Sequence, residues 1–196
     1  MKTLLGEKAF ELLKKYGIPV VEYKYVYDAE QASKLKVPCV LKVPSVSHKT
    51  EKGAVVVVHN KENMVDAWRK LSRQGRVMWQ PFREGREVII GLEKDPTFGR
   101  VVMVGMGGIF TESFKDVSFR AAPIATKDAV KMISELKGYE VLAGTRGQKS
   151  VSFRLLKKVL ASVSKMKENI EELDINPFII DQKSGCVVDA RIVLAS

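Results

Sequence analysis

The sequence has no hydrophobic run long enough to cross a bilayer, and it has few cysteines. No apolar run in the 196 residues reaches the ~18 that a transmembrane helix needs. Residues 1–8 lack the long apolar core of a secretory signal peptide. The two cysteines, Cys39 and Cys186, stand alone in apolar runs without a CxxC pair, which favours reduced thiols. We therefore expect a cytoplasmic protein with no membrane partner.

The chain also lacks the usual signatures of nucleic-acid binding. Basic residues outnumber acidic ones by 33 to 23, and the net charge is +10. They are scattered along the chain, without the aromatic and basic box of an RNA-recognition motif, so nucleic-acid binding is disfavoured. A phosphorylated ligand, an acidic partner subunit or a lysine-rich, thermophile-like surface remain as explanations.

The spacing of apolar residues predicts neighbouring strands interspersed with helices. With 45% hydrophobic and 29% charged residues the composition is that of a globular protein. This mixture favours an α+β fold with mostly antiparallel sheets. Helices are predicted at residues 5–16, 29–35, 64–71, 126–137 and 152–167, and strands at 20–25, 37–43, 55–58, 76–80, 86–92, 100–104, 173–180 and 186–194.

The last two predicted strands carry polar residues inside apolar runs. Residues 181–185 between them have the composition of a turn, so the segment reads as a β-hairpin with Asn176 and Asp189 roughly opposite each other. An amide oxygen and a carboxylate are hard ligands that suit Mg²⁺. The alternative is that both side chains simply face solvent on a half-buried strand.

Lys42 is a charge inside the apolar run 40–43, and the polar loop after it contains His48. A buried lysine needs an anionic partner, and a phosphate would supply one. The other interpretation is an edge-strand lysine that faces water. The loop is not a Walker A motif, although its backbone N–H groups could contact phosphate. His48 is either a solvated loop histidine or a base, ligand or phosphate acceptor.

Residues 105–108 form a glycine cluster after a predicted strand, with no clear helix after it. A Rossmann site is therefore disfavoured, and a tight turn is the simplest interpretation. Glu87 and Glu112 could contact a ribose or a metal, or they could be carboxylates that face solvent on their strands.

The order of these features along the chain resembles the ATP-grasp family, and within it the β subunits of ADP-forming acetyl-CoA synthetases, relatives of succinyl-CoA synthetase β. The resemblance runs nearly end to end. Its motifs are Tyr16–Pro19, Val40–Val43, Ser47–Gly53, Gly85–Gly91, Asp95–Gly99, Gly105–Gly108, Asp116–Ile124, Leu173–Pro177 and Asp189–Ile192.

The resemblance implies a two-lobe ATP-grasp fold that holds a nucleotide between its lobes. The small lobe would be residues 20–81, and the large lobe residues 1–19 and 82–196. Lys42 would contact the α-phosphate and the adenine side, and Glu87 would hold the ribose. The hinge against adenine would be formed by Gln80, Pro81 and Phe82.

The resemblance also implies the metal, the catalytic residue and the partner. Asn176 and Asp189 would hold Mg²⁺, with ATP or ADP as substrate. His48 would relay a phosphoryl group between a CoA-binding α subunit and ADP, and the complex would be an α2β2 heterotetramer. Such an enzyme is an acid–thiol ligase that makes ATP from ADP and phosphate as acyl-CoA is cleaved.

The chain departs from the family pattern at three places. Ala54 stands where a second glycine is usual, Thr145 replaces a tyrosine, and the acid that commonly follows Gly147 is missing. These departures motivate the alternative of a non-catalytic nucleotide-binding or scaffold subunit.

Overall fold

The computed structural model describes residues 1–45, 53–108, 116–145 and 147–195. The elements in these ranges are β1 (Lys2–Leu5), α1 (Glu7–Lys15), β2 (Lys24–Val26), α2 (Ala29–Ser33), β3 (Cys39–Lys42), β4 (Val55–Val58), a 3₁₀ turn (Lys61–Asn63), α3 (Met64–Ser72), β5 (Val77–Pro81), β6 (Arg86–Asp95), β7 (Gly99–Met106), β8 (Val117–Ala121), α4 (Thr126–Ser134), α5 (Tyr139–Ala143), α6 (Phe153–Ser164), β9 (Ile170–Ile180), β10 (Gly185–Val187) and β11 (Ala190–Leu194). No helix in these ranges is both long and apolar enough to span a membrane.

The chain divides into two compact units. One comprises Met1–Val20 and Glu84–Ser196, and the other comprises Val21–Arg83. In the first unit a seven-stranded sheet has the order β1-β11-β9-β6-β7-β8, with β10 also paired to β9. Every ladder in this sheet is antiparallel, which confirms the predicted fold class.

One face of the large sheet is covered by helices. α6 contacts β6 and β7, and α4 contacts β8. The alternation of side chains along β6 explains this packing. Ile90 and Leu92 are 0% and 1% exposed, whereas Glu93 between β6 and its turn is exposed. The buried side chains point to the helices, and the intervening positions point to the opposite face.

The second unit has a four-stranded antiparallel sheet in the order β2-β5-β3-β4. Leu41 of β3 and Leu71 of α3 are both fully buried in its hydrophobic core. The Trp68 indole, also on α3, donates a hydrogen bond to the Val26 carbonyl at 3.0 Å. The predicted helix over 64–71 is therefore confirmed, with its apolar side on the sheet.

Local signals mark several helix ends as the sequence predicts. Gly17 has a φ of 67°, the left-handed conformation that ends α1. The Asp28 carboxylate accepts a hydrogen bond from the Gln31 N–H at 2.7 Å at the start of α2. At the start of α6 the Ser152 hydroxyl accepts one from the Leu155 N–H at 3.4 Å. These caps satisfy backbone donors that have no partner within the helix.

Other elements differ from the expectation. The predicted strand over 20–25 is wrong, since β2 begins only at Lys24. Val20 instead forms an isolated bridge with Val187 in the first unit, where the chain passes from one unit to the other. Three elements were not predicted, namely β1, β8 and α5. Each is short, and its formation depends on partners distant in the sequence.

Candidate functional site

The predicted hairpin near the C-terminus forms, and it brings Asn176 and Asp189 together. β10 and β11 both pair with β9, and they are interrupted at Val188–Asp189. The Asn176 N–H donates a hydrogen bond to the Asp189 carbonyl at 3.2 Å. Asn176 is exposed and Asp189 is half-buried. The prediction that these residues lie opposite each other is confirmed.

The donor set at this pair suits a small hard cation. Mg²⁺ typically takes one or two protein carboxylates and completes its octahedron with water and phosphate oxygens. Asn176 offers an amide oxygen and Asp189 a carboxylate, on neighbouring strands at an accessible position. Within the described residues, no three side chains among His, Cys, Asp and Glu gather to hold a metal. The pair therefore fits an ion that keeps most of its shell for water and substrate.

Glu87 lies directly against the glycine cluster that follows β7. The Gly107 N–H donates a hydrogen bond to the Glu87 carbonyl at 2.7 Å. A Cβ built on Gly107 would lie 2.6 Å from the Glu87 Cβ and 2.9 Å from its carbonyl carbon, so only glycine fits. Gly108 follows with a φ of 65°. The glycines thus bring the backbone within contact distance of a candidate ribose-binding carboxylate, which the sequence pattern alone did not show.

The end of β7 is anchored by Asp116. Its carboxylate, buried to 4% exposure, accepts hydrogen bonds from the N–H groups of Lys137 and Gly138 at 2.7 Å each. Its carbonyl accepts one from the Met106 N–H at 3.2 Å. These bonds connect the strand that leads into the glycine cluster to the segment between α4 and α5. A buried carboxylate that accepts two backbone N–H groups stabilises the surrounding turn.

In the second unit, Lys42 and Gln80 share one face of the small sheet. Val40 lies opposite Gln80 in the register of β3 and β5, and Lys42 lies opposite Met78. Side chains two residues apart point to the same face. Lys42 is 3% exposed and Gln80 is 2% exposed. Because β3 is flanked by both β5 and β4, the interpretation of Lys42 as an edge-strand residue facing water is wrong.

The rest of the candidate hinge follows β5. Pro81 is its last residue, opposite Cys39 in the register, and is half-buried. The Phe82 N–H donates a hydrogen bond to the Pro38 carbonyl at 3.1 Å. The Phe82 ring lies 5.8 Å from the ring of His59, tilted by 58°. The backbone of the hinge is thus fixed by the strand before it, and the half-buried Phe82 ring presents an aromatic surface.

The structure accommodates two of the three departures from the family pattern. Ala54 is fully buried in the core of the second unit, and its carbonyl accepts a hydrogen bond from the Val43 N–H at 3.0 Å. A methyl group therefore fills core space where glycine is usual. Near the missing acid, the Arg86 guanidinium donates hydrogen bonds to the Gln148 amide oxygen and to the Val141 carbonyl. Gln148 thus has a defined partner next to Glu87.

Two candidate residues lie outside the described ranges. These are His48, the predicted phosphoryl relay, and Glu112, the other candidate carboxylate. Their roles stay predictions from the sequence.

Comparison with known proteins identifies the architecture. The ATP-grasp domain family matches residues 1–194. The chain is 39% identical to the Pyrococcus furiosus protein named acetate–CoA ligase [ADP-forming] I subunit beta, over 98% of this chain and 92% of that one. It is 33% identical to the Archaeoglobus fulgidus acetate–CoA ligase [ADP-forming] I, over 97% of this chain but only 31% of that one.

A solved structure gives the same result. The acetyl-coenzyme A synthetase 1 of Ca. Korarchaeum cryptofilum, described as dinucleotide forming, superimposes with a TM-score of 0.86 at 39% identity. The match covers 99% of this chain and 93% of that one. That crystal contained coenzyme A and Mg-AMPPCP, and its description places a phosphohistidine segment pointing towards the nucleotide binding site. The fold predicted from the order of motifs is therefore confirmed.

Proposed function

This chain belongs to the ATP-grasp family, and we propose that it is the nucleotide-binding β subunit of an ADP-forming acyl-CoA synthetase. One observation carries the proposal most directly. Asn176 and Asp189 meet across neighbouring strands at an accessible position, in a chain 39% identical to a synthetase crystallised with coenzyme A and a magnesium nucleotide. That pair supplies the oxygen ligands that a magnesium nucleotide requires.

The proposed nucleotide contacts come from both units. Lys42 offers a compact positive charge for the α-phosphate, since a lysine binds phosphate as a point charge. Glu87 offers a carboxylate for the ribose hydroxyls, and the glycines beside it keep the approach open. Gln80, Pro81 and Phe82 offer polar backbone and an aromatic ring for adenine.

Asn176 and Asp189 would hold Mg²⁺. When bound, the ion offsets the charge of the phosphate oxygens. Their own contribution is to fix the position of the polyphosphate, since both are tied to the sheet by the Asn176–Asp189 backbone hydrogen bond. Positioning and charge neutralisation supply most of the catalysis in phosphoryl transfer.

His48 is the proposed relay between the two halves of the reaction. A neutral imidazole nitrogen would attack the phosphorus of a phosphohistidine on the partner, forming one P–N bond as the other breaks. A β-phosphate oxygen of ADP would then attack the same phosphorus and release the imidazole, giving ATP. Over the cycle, acyl-CoA, phosphate and ADP become the free acid, CoA and ATP.

The proposal assigns CoA binding and the first phosphorylation to a separate α subunit in an α2β2 heterotetramer. This chain spans 92% of the Pyrococcus furiosus subunit beta but only 31% of the Archaeoglobus fulgidus ligase. The remainder of the longer chain corresponds in size to a further subunit. A non-catalytic scaffold subunit is the second candidate, and its motive is weakened because Ala54 packs without disturbing the core.

Reconstitution of the activity tests the proposal. The purified chain, its genomically neighbouring CoA-binding subunit and their mixture are each given acetyl-CoA, phosphate, ADP and Mg²⁺, and ATP is measured by luminescence. We expect nucleotide binding by the isolated chain but ATP formation only in the mixture. A mixture that forms the complex yet makes no ATP from acetyl-, propionyl- or aryl-substituted acyl-CoA would favour the scaffold alternative.

A further inference from the structure

A groove of about 430 Å³ lies on the large sheet of the first unit, on the face opposite to α4 and α6. Its lining includes Gly91 of β6, Met103 of β7 and Phe119 of β8. Gly91 and Phe119 both lie opposite Met103 in the register, so these positions share one face of the sheet. The groove is thus built on rigid, paired strands rather than on loops.

Two aromatic side chains on this groove are exposed to an unusual degree. Phe98 is 71% exposed and Phe119 is 54% exposed. Phe98 belongs to the turn between β6 and β7, which is fixed because the Asp95 carboxylate accepts hydrogen bonds from the N–H groups of Thr97 and Phe98 at 2.8 Å each. A well-ordered turn that presents an aromatic ring to solvent, beside an apolar groove, is typical of a protein-binding surface.

The rim of the groove is acidic, although the whole chain carries a net charge of +10. Four carboxylates contribute to the lining, and none of the described lining residues is basic. One of the four, Glu172, is paired with Arg191 at 2.6 Å from the neighbouring strand. The carboxylates of the rim are Glu93, Asp95, Glu172 and Asp174.

The groove is continuous with the candidate metal pair. Asp174 lies opposite Gly91 in the register of β6 and β9, and it precedes Asn176 by two residues on the same strand. A protein seated on the groove would therefore lie next to the position proposed for the polyphosphate.

We propose that this groove is the docking surface for the CoA-binding partner subunit, through a segment of that subunit that presents apolar side chains flanked by lysine or arginine. The proposal rests on the proposed function, which requires a partner close to the nucleotide. Complementary charge selects a basic segment. A second copy of this chain fits less well, because a symmetric pairing of the same face would bring two acidic rims together.

The test compares the affinity of the partner subunit for paired variants by sedimentation velocity and titration calorimetry. Phe119→Ser removes the exposed ring from β8, and Glu93→Lys reverses one charge of the rim. Val130→Ser on α4 and Glu11→Lys on α1 are matched controls away from the groove, Val130 being 46% exposed. Circular dichroism and Mg·ADP titration establish that each variant is folded.

We expect Phe119→Ser and Glu93→Lys each to weaken the complex at least tenfold, with Mg·ADP affinity unchanged and both controls at the wild-type value. Raising NaCl from about 0.05 to about 0.5 M should weaken the wild-type complex, because screening reduces attraction between surface charges. The same change should weaken the Glu93→Lys complex less.

Groove variants that bind the partner as tightly as the wild type would overturn the docking proposal, and ATP synthesis by that complex would leave the proposed function standing. If the groove variants lose the partner but the wild-type complex makes no ATP, the surface is right and the proposed function is wrong. A wild-type chain that forms a homodimer sensitive to Phe119→Ser and binds no partner would assign the face to self-association instead.

Discussion

Lys42 shows what a single residue's surroundings add to its sequence. From sequence, a lysine in an apolar run fits either an edge strand or an anionic ligand. The structure places β3 between two strands and leaves Lys42 only 3% exposed. A long side chain carries a substantial desolvation cost when its charge is buried, so the charge must have a purpose that water does not serve. Sequence could not decide this, because strand order is a property of the whole sheet.

Lys42→Met tests that purpose. Methionine keeps the unbranched stem and removes the charge, so thermal unfolding should occur at an unchanged or higher temperature. We expect ADP affinity to fall at least tenfold, about 1.4 kcal/mol, because the proposed phosphate contact is lost. Lys34→Met is the matched control, since the Lys34 side chain is 71% exposed. Normal ADP affinity in calorimetry would exclude Lys42 from the phosphate site.

Asp189→Ala tests the metal pair. The variant loses its carboxylate ligand but keeps the backbone carbonyl that accepts the Asn176 N–H, so the fold should survive. We expect Mg·ADP affinity to fall tenfold or more, about 1.4 kcal/mol, and the remaining affinity to respond less to added Mg²⁺. Asn176→Ala should show a smaller loss if water replaces the amide oxygen.

The comparison for Asp189→Ala is Asp66→Ala, which removes an 81% exposed carboxylate from α3. Equal affinity in the two variants would remove Asp189 from the candidate site.

At the scale of elements, sequence pattern predicted most long segments and missed the short ones. The helices α1, α3 and α6 carry apolar periodicity and end signals, such as Gly17 and Ser152, that act locally. β8 is an edge strand of five residues whose only ladder is to β7. Its formation depends on that ladder, which no local pattern reveals. Register has the same origin, so the contact between Gly107 and Glu87 was equally out of reach.

Gly107→Ala should separate the turn after β7 from Glu87. The new Cβ would lie 2.6 Å from the Glu87 Cβ and 2.9 Å from its carbonyl carbon, and backbone cannot yield as the end of a flexible side chain can. We expect lower stability together with a loss of nucleotide affinity, because the proposed ribose carboxylate moves.

Gly17→Ala is the control for Gly107→Ala. It has a φ of 67° with open space around it, so it should cost about 1 kcal/mol of stability through the backbone alone. Its ADP affinity should stay at the wild-type value. Equal affinity for ADP in Gly107→Ala would show that the glycine turn does not position Glu87 for the ligand.

β8 and α4 are joined by a charged cluster that should make stability depend on pH. The Arg120 guanidinium and then the Ser118 hydroxyl, which donates a hydrogen bond at 2.6 Å, lower the pKa of Glu135. A lowered folded-state pKa gives stability that is present above the unfolded value and is lost as pH falls through the folded one.

Glu135→Gln should therefore lower the melting temperature at pH 7 but not at a pH below the folded pKa of Glu135. The measurement is thermal unfolding by circular dichroism from pH 7 down to pH 2.5, with Glu140→Gln on α5 as the control. A Glu135→Gln variant that melts like the wild type throughout would show that this cluster contributes nothing to stability.

At the scale of the whole molecule, the order of motifs carried more information than any one of them. Lys42, Glu87 and Asn176 each had an ordinary explanation, and their succession along the chain did not. The match of the ATP-grasp family over residues 1–194 confirms that inference. The departures at Ala54 and Gln148 could not be evaluated from sequence, because their effect depends on packing. The structure gives Ala54 a place in the core and Gln148 a partner in Arg86.

The same scale holds the last prediction, because the proposed reaction is divided between two chains and His48 would connect them. His48→Ala should abolish ATP formation by the reconstituted complex, while the partner still forms its own phosphohistidine from acyl-CoA and phosphate. His48→Asn should fail equally, since an amide cannot accept the phosphoryl group. His59→Ala is the control, because His59 is the chain's other histidine. The measurement follows ³²P from labelled phosphate to each chain and then to ADP. Label should stop on the partner in both His48 variants, whereas His59→Ala should lose a few-fold in rate at most. Full ATP synthesis by His48→Ala would mean that the partner passes its phosphoryl group directly to ADP.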